Sequence, residues 1–166
     1  MKYTVTTRYP HRHFVDFEFT VLGWTKPVLP VQQPSWRPGR YELGNFAKNV
    51  KDWQAVDEQG NKLDFRKRGK DLWEVQTNGA TSVTIRYSYF ANELTAGSSC
   101  FNSNMLYLNP VNCFMYVPGM EHEPCEVELV GLPAGYEVAS QLERKGPRVL
   151  VAPDFDYLAD SPLIAR

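Results

Sequence analysis

The run "HEPCE", His122 to Glu126, comes nearer than any other stretch of this chain to the residue types of a metal site. A zinc hydrolase motif needs H-E-x-x-H on a helix, so that two histidines one turn apart bind the metal and the Glu acts as base. Here the fifth residue is Glu126, Pro124 interrupts, and the segment leads into an alternating strand pattern. His11 and His13 share one face of an extended segment, but no third ligand accompanies them, and they read as a turn or surface pair. Asp154, Asp156 and Asp160 lack the remaining ligands and closing Glu of a calcium loop, so they read as a solvated helix start. No G-x-S-x-G elbow or phosphate loop occurs, and Ser98-Ser99-Cys100 has no neighbouring motif that supplies a base. No self-sufficient active site is legible.

Composition narrows the function classes further. With 166 residues, 43% of them apolar, the chain is sized for one domain with a substantial core. Its 18 basic and 19 acidic residues nearly cancel, which leaves no electrostatic footprint for nucleic acid or a membrane surface. The cluster Arg66-Lys67-Arg68, with Lys70, is broken by Gly69 and reads as a solvated hairpin tip. No apolar run is long enough for a membrane-spanning helix, and "MKYTVTTRYP" lacks the apolar core of a signal peptide. The expectation is a cytoplasmic protein, unless a leader precedes Met1. Cys100, Cys113 and Cys125 have no C-x-x-C spacing and suit buried free thiols.

The elements that must position any site are strands. Val15, Phe17, Phe19 and Val21 alternate with Asp16, Glu18 and Thr20, and Val83, Ile85, Tyr87 and Tyr89 do the same against Thr84, Arg86 and Ser88. Tyr3 and Val5, then Val127 and Leu129, repeat the pattern. Turn signals such as "DEQGNK", "KRGKD", "TNGA" and "LPAGY" separate the runs. The fold class is therefore all-β, an antiparallel β-sandwich with little helix. The segment Phe46–Trp53 is ambiguous between helix and strand. "PDFDYLADSP" predicts one short helical turn, with Asp154 at its start and Pro162 ending it. Trp73 in "LWEV" should be buried between the sheets, the long connection 92–117 reads as functional or packed against something, and its stretch 102–112 reads as too polar and irregular for a core.

One stretch stands out from that pattern: "PSWRPGRYELGNFAKNV", residues 34–50. It resembles a segment of the N-terminal domain of the glycyl aminopeptidase family of zinc metallopeptidases (metallopeptidase family sixty-one), where the pattern runs approximately P-x-W-x-P-G-S-Y-x-I-R-D-F-A-x-x-V. Pro34, Trp36, Pro38, Gly39, Tyr41, Phe46, Ala47 and Val50 match, while Arg40, Gly44 and Asn45 replace Ser, Arg and Asp. Further collinear likenesses follow at 56–63, 70–75, 83–94, 106–114, 132–142 and 155–163. In "LYLNPVNCF", Pro110 replaces the Gly of an F-L-N-G segment.

The resemblance implies that 1–166 is the single β-sandwich domain that precedes a catalytic domain. It further implies that the zinc ligands lie outside this chain, which itself needs no cofactor. The catalytic domain of the same polypeptide would be the partner, and a peptide with a small N-terminal residue the substrate, with no role for nucleic acid or membrane. By the same resemblance, Asn109, Tyr107 and Asn112 would contact the substrate, Asn109 holding its free amine. Trp36, Pro38, Gly39 and Tyr41 would form an interdomain or structural motif, with Pro38 and Gly39 making a tight turn. Two rivals differ in class. One is a free-standing β-sandwich module that binds carbohydrate or protein on an aromatic platform of Trp24, Trp36 or Trp53. The other is a small zinc hydrolase using His11, His13 and His122.

Overall fold

The chain was described from a computed structural model covering residues 1–37 and 39–166. The first strands are β1 (Lys2–Thr6), β2 (Phe14–Leu22), β3 (Val28–Gln32), β4 (Val50–Val56), β5 (Lys62–Leu63), β6 (Phe65–Lys67), β7 (Leu72–Gln76) and β8 (Ser82–Phe90). There follow β9 (Cys100–Phe101), β10 (Leu106–Leu108), helix α1 (Pro110–Cys113), β11 (Cys125–Val130), β12 (Val138–Ser140), β13 (Glu143–Gly146), β14 (Val149–Ala152), helix α2 (Phe155–Ala159) and β15 (Leu163–Ala165). They form an eight-stranded sheet, ordered β13-β14-β11-β1-β2-β8-β4-β5, a four-stranded sheet β12-β15-β10-β9, and a three-stranded sheet β3-β7-β6. The architecture is all-β. Among the described residues no helix is long and apolar enough to cross a membrane.

Period-2 patterning produces this arrangement directly. Val15, Phe17, Phe19 and Val21 of β2 face inward, as do Val83, Ile85, Tyr87 and Tyr89 of β8, while their alternate residues stay outside. The two strands pair over nine residues, from Phe14↔Phe90 to Leu22↔Ser82. The outward faces of the two strands carry matched polar pairs such as Glu18–Arg86 at 3.0 Å. Most pairings are antiparallel, but β1 runs parallel to β11, Lys2 opposite Glu126 and Thr6 opposite Val130. Alternation gives no direction, so that exception is invisible in the sequence. The terminal ammonium of Met1 donates to the Pro124 carbonyl at 2.6 Å, which seats β1 beside β11.

Two local expectations resolve cleanly. Phe46–Asn49 is one 3-10 turn, and Val50 then enters β4 rather than continuing a helix. A bulge between Lys51 and Gln54 places Asp52 at φ 55°, a left-handed conformation that a short polar residue tolerates. Trp53 beside it stacks on Trp73 at 5.5 Å and meets Phe65 at 4.3 Å. Helix α2 begins as expected: Asp154 Oδ1 accepts from the Tyr157 backbone N–H at 2.7 Å. Asn78 (φ 51°) and Gly79 (φ 81°) do turn the chain, yet they carry it from β7 in one sheet to β8 in another.

The connection 92–117 is packed inside the fold, and its stretch 102–112 departs from expectation. It holds β9, β10 and α1, and Leu106, Leu108, Cys113, Phe114 and Met115 are all fully buried. Phe114 is the hub. Its ring meets Tyr3 and Phe17 edge-on, each at 5.1 Å. Tyr3 in turn stacks on Phe19 at 4.7 Å, and Phe17 on Tyr87 at 5.0 Å. The hydroxyl of Tyr3 donates to the Met115 carbonyl at 2.8 Å, and that of Tyr87 to the Cys113 carbonyl at 2.7 Å. Burial pushes both phenols well above their ordinary pKa. All three cysteines are free and buried, and desolvation lifts the Cys125 thiol to about 11.

Trp73 is 3% exposed, beneath the Trp53 ring and the Lys67 ammonium. Truncating it removes a large core aromatic that leaves a cavity. Trp73→Ala is expected to lower stability by about 3–5 kcal/mol in a denaturant titration. A loss below about 1 kcal/mol would place this ring outside the packed core.

Candidate functional site

The Trp36 stretch is a closed loop. The Gly44 N–H donates to the Ser35 carbonyl at 2.6 Å, pinching residues 35–44 at the base. Gly39, at φ 82°, occupies a conformation that suits glycine, while Pro38 lies outside the described residues. Beyond the pinch, Trp36 is 52% exposed, Leu43 68%, and Tyr41 completely so. The loop is riveted through Arg37, whose Nη1 donates to the Ala96 carbonyl at 3.1 Å. The guanidinium lies so close over Gly97 that an added Cβ there would sit 2.5 Å from Nη2.

Residues 96–97 are themselves held from below by two asparagines, Asn109 at the start of α1 and Asn112 within it. Asn109 donates its backbone N–H to Ser99 Oγ at 3.0 Å and its side-chain Nδ2 to the Ala96 carbonyl at 3.3 Å. Its Oδ1 has no donor among the described residues. Asn112, 1% exposed, donates Nδ2 to the Gly97 carbonyl at 3.1 Å and accepts from Ser99 Oγ at 3.4 Å. Its own carbonyl takes the Gln33 amide N–H at 2.6 Å. Polar residues therefore belong in this core. They satisfy backbone groups that hydrophobic residues would strand, and that corrects the reading of 102–112 as unfit for a core.

Between the Trp36 loop and α2 lies a groove of about 1080 Å3. Trp36 and Asn109 both line it. Tyr107 and Asn112 do not: Tyr107 lies half-buried on β10, on the face opposite Leu106 and Leu108. Gly39 and Tyr41 stand outside the groove, on the exposed loop. In the same groove Tyr116 stacks on Phe155 at 4.7 Å, and Glu121, Asp156 and Asp160 supply carboxylates. Sequence reasoning passed over these residues. The aspartates were read as a helix start, which is also true of the cap Asp154, and nothing local connects them to Trp36 more than a hundred residues earlier.

The other candidates fall elsewhere. His13 donates from Nδ1 to the Phe101 carbonyl at 2.7 Å, while exposed His122 sits 3.6 Å from Glu123. Among the described residues no three His, Cys, Asp or Glu side chains come together to hold a metal. The residues present do not fit a zinc centre, so no zinc chemistry is assigned to this chain. Trp24, with its indole N–H on the Val28 carbonyl at 3.0 Å, and Trp53 are half-buried against the core. That leaves Trp36 as the exposed member of the suggested platform.

The whole described framework, from β1 to β15, falls under one family: the sequence matches the Peptidase M61 N-terminal domain over residues 2–165. This chain belongs to that family. The Peptidase M61 N-terminal domain also has solved structural counterparts. An aminopeptidase N family protein from Idiomarina loihiensis superposes with a TM-score of 0.91 at 24% identity, covering 99% of this chain but 29% of its own. A mutant M1 zinc metallopeptidase from Deinococcus radiodurans superposes with a TM-score of 0.50 at 13% identity, covering 99% of this chain and 40% of that one. At these identities the likeness establishes the shared fold. The chain spans less than half the length of either protein. No curated protein matches the sequence.

The asparagine supports of this M61 N-terminal domain can be separated from its surface by mutation. Asn112→Ala would take the partners from the part-buried Gly97 carbonyl and the buried Ser99 hydroxyl and is expected to cost about 1–3 kcal/mol in urea unfolding. An unchanged midpoint would mean that the 96–97 turn is not held from below.

Proposed function

We propose that this domain packs against the zinc-bearing catalytic domain of an aminopeptidase-like parent protein, and that it forms one wall of the peptide cleft. One observation carries the reading: a loop pinched and riveted at its base holds Trp36, Tyr41 and Leu43 out in water. Leu94, 60% exposed, stands on the adjoining turn to which Arg37 is tied. A firmly held loop that presents large apolar side chains suits a protein contact. Both structural counterparts are longer chains, in keeping with a domain that meets another domain of its own polypeptide.

In this arrangement the loop is the docking face, and the groove beside it opens toward substrate. The family likeness points to peptides with glycine or alanine at the N-terminus. Asn109 fits the part of amine acceptor, because its Oδ1 has no donor among the described residues and it lines the groove. Zinc and the reacting water would belong to the catalytic domain. Three unpaired thiols suit a reducing compartment such as the cytoplasm.

The test uses the full-length protein carrying Tyr41→Asp and Leu43→Asp together. Both side chains are exposed, so the isolated domain should melt as before. In the full-length protein the two domains should melt separately, and peptide KM should rise by about ten-fold or more, as expected for loss of a central apolar anchor. Unchanged melting and unchanged KM would show that this loop is not the docking face.

A further inference from the structure

The groove has an unbalanced charge on an aromatic floor. Three carboxylates outnumber one guanidinium there: Arg37 donates to the Ala96 carbonyl and keeps its charge, while Glu121, Asp156 and Asp160 form no ion pair among the described residues. Glu121 Oε2 accepts the Gly119 backbone N–H at 2.8 Å. The side chains of Asp156 and Asp160 enter no hydrogen bond among those described, although the backbone of both does. The field of these carboxylates reaches the floor: burial first, and then Glu121, Asp156 and Asp71, push the Tyr116 hydroxyl above its ordinary pKa. Trp36 also lines the groove.

We propose that the groove binds a peptide through an arginine side chain, whose guanidinium meets carboxylates among Glu121, Asp156 and Asp160 and lies against the aromatic surface of Tyr116 or Trp36. Charge complementarity selects a cation. The aromatic floor favours guanidinium over ammonium, because a planar, weakly hydrated fork can stack and pair with carboxylates at once. At about 1080 Å3 the groove exceeds the roughly 300–1,000 Å3 of most small-molecule pockets. That leaves room for the peptide chain as well as the side chain. Every residue involved belongs to this chain, so the inference does not depend on the docking of a catalytic domain.

The experiment titrates the purified domain with acetyl-Ala-Arg-Ala-amide and with its citrulline isostere, which keeps the shape and removes the charge. NMR should show saturable shifts of the Trp36 indole N–H with the arginine peptide, weakening as salt is added. Affinity for the citrulline peptide should be about ten-fold lower, the loss of one charge-assisted contact. The Asp156→Asn/Asp160→Asn protein, checked for native fold by circular dichroism, should show the same loss. Should that pair fail to fold, Trp36→Ala serves instead, since its side chain is half exposed, and it should weaken binding of the arginine peptide several-fold. Equal affinity for the two peptides, no saturation at millimolar concentration, or full binding by the variants would overturn the assignment.

Discussion

The fold hangs on a short buried strut, Asn109 to Met115. Two tyrosines from the large sheet anchor their hydroxyls on its backbone, Tyr3 on Met115 and Tyr87 on Cys113, and the Phe114 ring packs edge-on against Tyr3 and Phe17. On the strut's other side, Gln33 donates to the Asn112 carbonyl, and the Asn109 and Asn112 amides hold up residues 96–97. A buried carbonyl without a donor costs about 1–3 kcal/mol, so the pairings on the Met115, Cys113 and Asn112 carbonyls are exacting. The strut links the large sheet to the Gln33 end of β3 and to the turn that carries the Trp36 loop.

That linkage explains why the candidate surface is firm although it is built from loops. Ala96 accepts from Arg37 above and from Asn109 below, so the Trp36 loop rests on a residue already fixed by the core. The opposite wall is fixed separately: the Asp154 cap starts α2, and the Phe155 N–H donates to the Glu121 carbonyl at 2.8 Å. Two supports with no shared sequence thus frame one groove.

What the sequence made legible follows from the range of each interaction. The alternation in β2 and β8 and the Asp154 helix start depend on neighbours within a few residues, and each appears where local chemistry places it; Arg66 and Lys67, read as a hairpin tip, are exposed but lie within β6. The collinear motifs pointed to the M61 N-terminal domain, because several weak matches in order constrain one another. The parallel β1–β11 pair and the bulge at Asp52 depend on partners dozens of residues away. So does the buried role of Asn112. Polarity argued for its exposure, whereas unsatisfied backbone at Gly97 demanded an amide inside. The meeting of Trp36 with Asp156 and Asp160 is of the same long-range kind.

Native-state hydrogen exchange tests the strut most directly, because amides that open only with global unfolding mark the most stable unit of a fold. The N–H groups of Asn109, Asn112 and Phe114, bonded to Ser99 Oγ and to the Asn109 and Pro110 carbonyls, should exchange as slowly as those of β2 and β8. Exposed amides of residues 40–43 should exchange orders of magnitude faster. Exchange at Asn112 and Phe114 as fast as in that loop would contradict the account, since a strut that opens on its own could not hold the groove.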